Sequence, residues 1–258
     1  MATPIVLHHG MFGFGNFELG RFRFGYFNRI DRAISERGYP LVISRVHPTS
    51  SIETRARQLK SYILAQLKAQ NRENEQVVII GHSMGGLDAR YMITHLGMAD
   101  RVKALVTICT PHRGSTYADW CITHLGKRLG GLELIDFLGL DIRAANDLTI
   151  QSCCRFNQCT PDAPRVKYFS ISAARPWHRV MPLFMHSHRV IADAEGDNDG
   201  LVSVASARWG EHLWTWPADH LHTINKKLVV ELKEPTGDMV PRYMQLLAVL
   251  EEREILLH

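Results

Sequence analysis

No apolar stretch in this chain approaches the roughly 20 residues needed to span a bilayer, so the sequence offers no transmembrane helix. No run of Lys or Arg is long enough to line a nucleic-acid groove or anchor the chain to an anionic membrane. The formal net charge of +4 is a mild excess spread along the chain. Met1-Ala2-Thr3-Pro4 leads straight into an apolar run, without the basic and apolar regions of a signal peptide. The expectation is a cytoplasmic protein, one exported without a cleavable signal, or a mature form. Cysteine is scarce: five residues, an odd number, so at least one has no intramolecular partner. Cys153, Cys154 and Cys159 cluster, yet nothing nearby completes a four-ligand zinc site, and free thiols are the simpler expectation. Internal repeats and low-complexity segments are also missing.

What remains is an ordinary globular composition, 45% hydrophobic and 22% charged over 258 residues, enough for one substantial core. Apolar runs alternate with helix-period segments, the pattern of a mostly parallel sheet covered by helices. The expected strands are Ile5–His8, Leu41–Val46, Val77–Ile80, Val102–Cys109, Val166–Ile171 and His188–Ala192. Helical stripes are carried by Phe27, Ile30 and Ile34 ahead of Gly38, by Ile52, Ala56, Leu59, Ile63 and Leu67, and by Val240, Tyr243, Leu247 and Leu250. The second stripe opens at Ser50-Ser51-Ile52-Glu53, a capping-box pattern. Residues 115–164 break the alternation with leucines and glycines, and read as a helical cap or lid inserted over the sheet.

Gly81-His82-Ser83-Met84-Gly85 fits G-x-S-x-G. Alone, the pattern arises by chance in roughly one chain of this length in ten. Its setting is more specific: an apolar strand precedes it and a helix-forming segment follows. That is the strand–turn–helix of a nucleophile elbow, which projects a serine above the sheet at the positive end of a helix. The expectation is an α/β-hydrolase fold in which Ser83 attacks a carboxylic ester. Acyl transfer also needs donors for the oxyanion of the tetrahedral intermediate. The backbone N–H of Met84, after the nucleophile, is one candidate. Met11, in the His8-His9-Gly10-Met11 turn after the first strand, is the other.

Fourteen histidines make the base harder to choose. In this fold the triad runs Ser, acid, His along the chain, so the base lies after the late strands. His220, on a polar turn before the closing helix, is the candidate base. Asp199, in the turn-rich stretch 195–202, is preferred as the acid over Asp197, and also over Asp219, because sequence neighbours rarely aim side chains at each other. His82, His112 and His222 read as structural histidines near the site. His186-x-His188 would put two imidazoles on one face of a strand as metal ligands, but no third ligand is placed by the sequence.

Together these segments resemble the bacterial true lipases, lipase family I. The likeness rests on His9-Gly10-Met11-Phe12-Gly13-Phe14, Gly81-His82-Ser83-Met84-Gly85-Gly86-Leu87 and Thr110-Pro111-His112-Arg113-Gly114-Ser115. It extends to Asn198-Asp199-Gly200-Leu201-Val202 and Asp219-His220-Leu221. The resemblance implies an acid at Asp199, a base at His220, a mobile lid and activity on acylglycerols. The lid region looks shorter than in many of those lipases. Their calcium ligands also do not carry over: an acid typically follows the catalytic histidine, whereas here His222 and then Lys226 follow His220. No metal is therefore expected, and the chemistry requires no cofactor.

Phe12, Phe14 and Phe17 follow the first strand and either wall an acyl-chain pocket or pin a loop to the core. The expected partner is a small-molecule or lipid ester, with transient contact at a lipid interface and none with nucleic acid. Two alternatives stand beside a lipase or carboxylesterase. One is another acyl hydrolase or acyltransferase on this fold, such as a phospholipase or thioesterase. The other is a non-catalytic binding protein that has kept the fold.

Overall fold

Short strands rich in β-branched and aromatic residues recur along this chain, and six of them pair into one sheet. The computed structural model describes residues 2–11, 17–19, 22–125, 142–226 and 237–258. In chain order the strands are β1 (Ile5–His8), β2 (Phe17–Leu19), β3 (Phe22–Phe24), β4 (Leu41–Ile43), β5 (Val77–His82), β6 (Val102–Ile108), β7 (Lys167–Ala173) and β8 (Glu211–Trp216). The helices are α1 (Ile30–Glu36), α2 (Ile52–Ala69), α3 (Met84–His95), α4 (Thr116–Leu125), α5 (Ile142–Asp147), α6 (Ile150–Cys159), α7 (Met185–Glu195), α8 (Val204–Ala207) and α9 (Val240–Glu252).

The main sheet has the order β4-β1-β5-β6-β7-β8 and is parallel at every pairing; β2 and β3 form a separate antiparallel hairpin. Alternation along each strand divides the core in two. Ile5, Leu7, Val78, Ile80, Ala104 and Val106 face α1 and α9, packing on Phe27, Ile30, Ile34, Tyr243, Leu247 and Leu250. Val6, Val77, Ile79, Val102 and Leu105 face the other way, onto Ala56, Leu59, Ile63 and Leu67 of α2 and Ala89, Met92 and Ile93 of α3. The three predicted stripes are thus core faces, although Val240 is only half-buried. The cap of α2 is Ser51, whose hydroxyl accepts from the Thr54 N–H.

The predicted strand His188–Ala192 is part of helix α7, where Ser187, His188 and Ile191 form the buried face. Their spacing of one and four residues is helical, and a five-residue window was too short to reveal it. The last strand is instead β8, Glu211–Trp216, which the sequence reading passed over. Consequently His186 and His188 do not share a strand face. His188 is buried with Nε2 against the Arg175 carbonyl at 2.7 Å, while His186 is exposed against the edge of Trp120. The predicted Leu41–Val46 strand is shorter, ending at Ile43.

Helices α4, α5 and α6 fill the stretch between β6 and β7, where an inserted cap was expected; residues 126–141 of that stretch lie outside the described residues. Phe12 and Phe14 also lie outside them, and Phe17 opens β2. All five cysteines are free thiols, Cys109 and Cys153 buried and Cys154 and Cys159 exposed. Among the described residues no helix is long and apolar enough to cross a membrane.

Candidate active site

After β1 the chain crosses to β4 on one side, then returns to place β5 on the other side of β1. Such a switch in winding opens a crevice at the carboxyl ends of the strands, where open parallel sheets bind ligands. Gly10, past the end of β1, and Ser83, past the end of β5, meet there. A Cβ added to Gly10 would lie 2.6 Å from Ser83 Cβ and 3.2 Å from Ser83 Oγ. Only glycine lets the β1 loop approach the serine this closely.

Ser83 occupies the turn between β5 and α3 with φ 55° and ψ −134°, a conformation costly for a residue with a side chain. Its N–H donates to the Ile108 carbonyl at 2.9 Å, and its own carbonyl accepts from Thr110 Oγ1 at 2.7 Å. These bonds hold the strained turn from both sides. The half-buried hydroxyl makes no capping bond to α3. Gly85, two residues on, permits a second close approach: a Cβ there would sit 2.8 Å from the His9 carbonyl. The loop after β1 is therefore pressed against the first turn of α3, with Met84 buried and Met11 half-buried at that junction.

The loop is anchored by buried polar groups. Its Gly10 N–H donates to the Tyr26 hydroxyl at 3.2 Å, and that hydroxyl lies 2.8 Å from His82 Nδ1. Arg55, on the inner face of α2, donates to the His9 carbonyl at 2.7 Å and to Asp88 Oδ2 at 2.8 Å. Asp88 in α3 also lies 2.9 Å from His8 Nε2, and His8 Nδ1 is 2.6 Å from Ser44 Oγ. Arg55 and Asp88 are both wholly buried. The sequence reading missed this network; a charged residue within the apolar stripe of α2 was the available signal.

Asp199 and His220, 21 residues apart, come together at the same sheet edge, with His220 Nδ1 2.7 Å from Asp199 Oδ2. The other carboxylate oxygen accepts from the N–H groups of Leu201 (2.9 Å) and Val202 (2.7 Å), which fixes the acid. Backbone bonding joins the two as well, since the His220 N–H donates to the Asp199 carbonyl at 2.9 Å. The ring of His220 lies 4.7 Å from that of His82, the residue before Ser83. Asp197, the acid passed over, is exposed. Asp219 is engaged elsewhere: its Oδ2 accepts from the Met181 N–H at 3.0 Å and lies 2.7 Å from His222 Nδ1.

Burial depresses the basicity of four histidines around this edge. It lowers His8, takes His9 to about 3, and holds His82 and His112 well below the ordinary 6.5. An imidazole kept neutral by the fold takes up its proton first in the unfolded chain. Stability from these groups is therefore full above about pH 6.5 and lost as pH falls toward their folded values. Each contributes a slope of up to about 1.4 kcal/mol per pH unit in that window. Denaturant titrations between pH 7 and 5 should give unfolding free energies that fall by more than one proton's slope. A flat profile would mean that these imidazoles are protonated in the folded state.

Among the described residues, Cys109, Asp199 and His220 are the one group whose metal-binding atoms cluster, all within 4.8 Å of one another. Asp199 and His220 already share a hydrogen at 2.7 Å, so an ion would have to displace that bond. The calcium position implied by the lipase resemblance fits no better. His222 stands there, its Nδ1 2.7 Å from Asp219 Oδ2 and 3.0 Å from the Arg175 guanidinium, a nitrogen already engaged beside a cation. A hard, oxygen-seeking ion is poorly served by that set.

Residues 54–134 match the model of the PGAP1-like alpha/beta domain. Triacylglycerol lipase 2 of Saccharomyces cerevisiae is 32% identical over 210 residues, covering 78% of this chain; the chain spans 63% of that relative's length. A triacylglycerol lipase of Vibrio cholerae is 27% identical over 275 residues, covering 94% of this chain and 85% of its own. In architecture, the mature lipase BlEst2 of Bacillus licheniformis superposes with a TM-score of 0.73 at 22% identity, over 95% of this chain and 92% of that one. By sequence the chain is similar to these triacylglycerol lipases over most of its length, and its architecture is the α/β-hydrolase fold.

Proposed function

We propose that this chain is a serine carboxylic-ester hydrolase acting on acyl esters of the acylglycerol class, in which Ser83 is the nucleophile, His220 the general base and Asp199 its orienting acid. The observation that carries the reading is the Asp199–His220 hydrogen bond at the sheet edge that also bears the strained Ser83. In the first half-reaction His220 takes the Ser83 proton as Oγ attacks the ester carbonyl. The N–H groups of Met84 and Met11 receive the developing oxyanion, and the alcohol departs with the proton from His220. Water, activated by the same imidazole, then releases the acid from the acyl-enzyme. Asp199 holds the ring in the tautomer that leaves Nε2 free for the serine. The substrate class comes from the named lipase relatives.

Residues 115–164 are proposed to cover the acyl site within a single domain, with Phe12, Phe14 and Phe17 walling the acyl chain. Hydrolysis of p-nitrophenyl esters from acetate to palmitate, with a fluorophosphonate probe mapped to its labelled residue, tests the assignment. Turnover with labelling at Ser83 is the expected result. Silence on every ester and on emulsified acylglycerol would defeat it.

Contact with a lipid interface is proposed through the loop after β7. Trp177 and Leu183 are 43% and 68% exposed there, and Arg189 lies 4.8 Å over the Trp177 ring. Phe184, next to Leu183, has its ring 6.5 Å from His220, so the exposed ledge adjoins the proposed base. Leu183→Ser should cut hydrolysis of emulsified acylglycerol several-fold and leave a soluble short-chain ester unaffected. An equal fall on both substrates would remove the interfacial role.

A further inference from the structure

Ser83 is not the only strained residue at this sheet edge. His82 of β5 is in register with Ile108 of β6, so the residues that follow them, Ser83 and Cys109, leave neighbouring strands side by side. Cys109 has φ 51°, in the left-handed region, where glycine sits without penalty and a side chain does not. Its N–H is held by the Ile171 carbonyl at 2.8 Å, and its side chain is wholly buried. The thiol lies within 4.8 Å of both the Asp199 carboxylate and a ring nitrogen of His220.

Hydrogen-bond accounting at Asp199 gives this thiol a task. Oδ1 takes two backbone N–H groups and Oδ2 takes His220 Nδ1. A carboxylate offers about four lone-pair sites, so one is left for a further donor. We propose that Cys109 is a positioning residue for the catalytic acid, its S–H donating to the Asp199 carboxylate and holding it square to His220. The inference rests on the reading of Ser83, His220 and Asp199 as the triad. Burial pushes the thiol well above its ordinary range, and the Asp199 and Asp219 charges push it further, against a lowering contact from Thr223. The group therefore stays protonated and able to donate. Retaining a side chain here costs backbone strain that glycine would avoid, which fits a residue kept for what its side chain contacts.

The test compares Cys109→Ala with Cys109→Ser, alongside Ser83→Ala, on a soluble p-nitrophenyl ester. Hydrogen bonds to charged groups are the stronger class, so Cys109→Ala should lose about tenfold in kcat with KM unchanged. Cys109→Ser, which keeps a donor, should recover most of that loss. The downfield proton resonance of the His220–Asp199 bond should broaden in the alanine variant and return with serine. If Cys109→Ala does not fold, Cys109→Gly, without donor or backbone strain, replaces it. Wild-type kcat in the alanine or glycine variant overturns the proposal, as does a serine variant no better than alanine. Undiminished activity in Ser83→Ala instead defeats the triad reading, and the proposal with it.

Discussion

Replacing Ser83 with alanine will lower kcat/KM on a soluble ester by at least about 10⁴-fold while leaving the fold and its circular dichroism unchanged. The size follows from the role: alanine has no oxygen to form the acyl-enzyme, so only the oxyanion donors and substrate positioning remain to assist water. Structural neutrality follows from the geometry. The Ser83 hydroxyl makes no capping bond to α3, and the turn is held by backbone contacts with Ile108 and Thr110 that alanine retains. The Asp199–His220 hydrogen bond does not pass through residue 83 and should survive. On the proposed assignment, removing His220 should cost nearly as much, and the double variant little more than either, because members of a triad act as a unit. Steady-state kinetics on the three variants decide the matter. Additive losses would argue that the two residues do not share one mechanism, and an active Ser83→Ala would remove the nucleophile altogether.

Asp88→Ala is expected to destabilise the protein by about 3–5 kcal/mol, the usual cost of stripping the partner from a buried charge. Arg55 is wholly buried and would keep its charge with only the His9 and His47 carbonyls as acceptors. His8 would lose its acidic partner as well. Function should follow stability, since Arg55 also fixes the His9 carbonyl, one residue ahead of Gly10 and two ahead of Met11. A loosened loop would misplace the proposed second oxyanion donor and lower kcat in whatever fraction stays folded. Adding Arg55→Met to Asp88→Ala should recover part of the lost stability by removing the stranded charge. Urea titration of the single and double variants reads both effects. A change below about 1 kcal/mol in Asp88→Ala would show that the network contributes little to the folded state.

Much of the site was legible because its signals are local. The Ile52–Leu67 stripe and the strand–turn–helix around Ser83 depend on residues a few positions apart, and both stand in the structure. The choice of Asp199 over Asp219 came from chain order and from the reluctance of neighbours to face each other. The structure adds that Asp219 turns to His222 and the Met181 N–H instead. The segment ahead of Asp199, expected as the strand His188–Ala192, is helical instead, and the strand before His220 is β8. Short windows carry too few turns of either period to separate strand from helix.

The sequence by itself determined the alternation of strands and helices, the elbow that strains Ser83, and the glycines that let backbones approach it. Each is set by interactions spanning a few residues. Only the tertiary structure decided that His220 meets Asp199, that Arg55 and Asp88 clamp the loop after β1, and that Cys109 lies beside Asp199. Those contacts bring together residues tens of positions apart, such as 33 between Arg55 and Asp88. They exist because a parallel sheet delivers all its carboxyl ends to one edge, where burial favours polar groups that pair with one another.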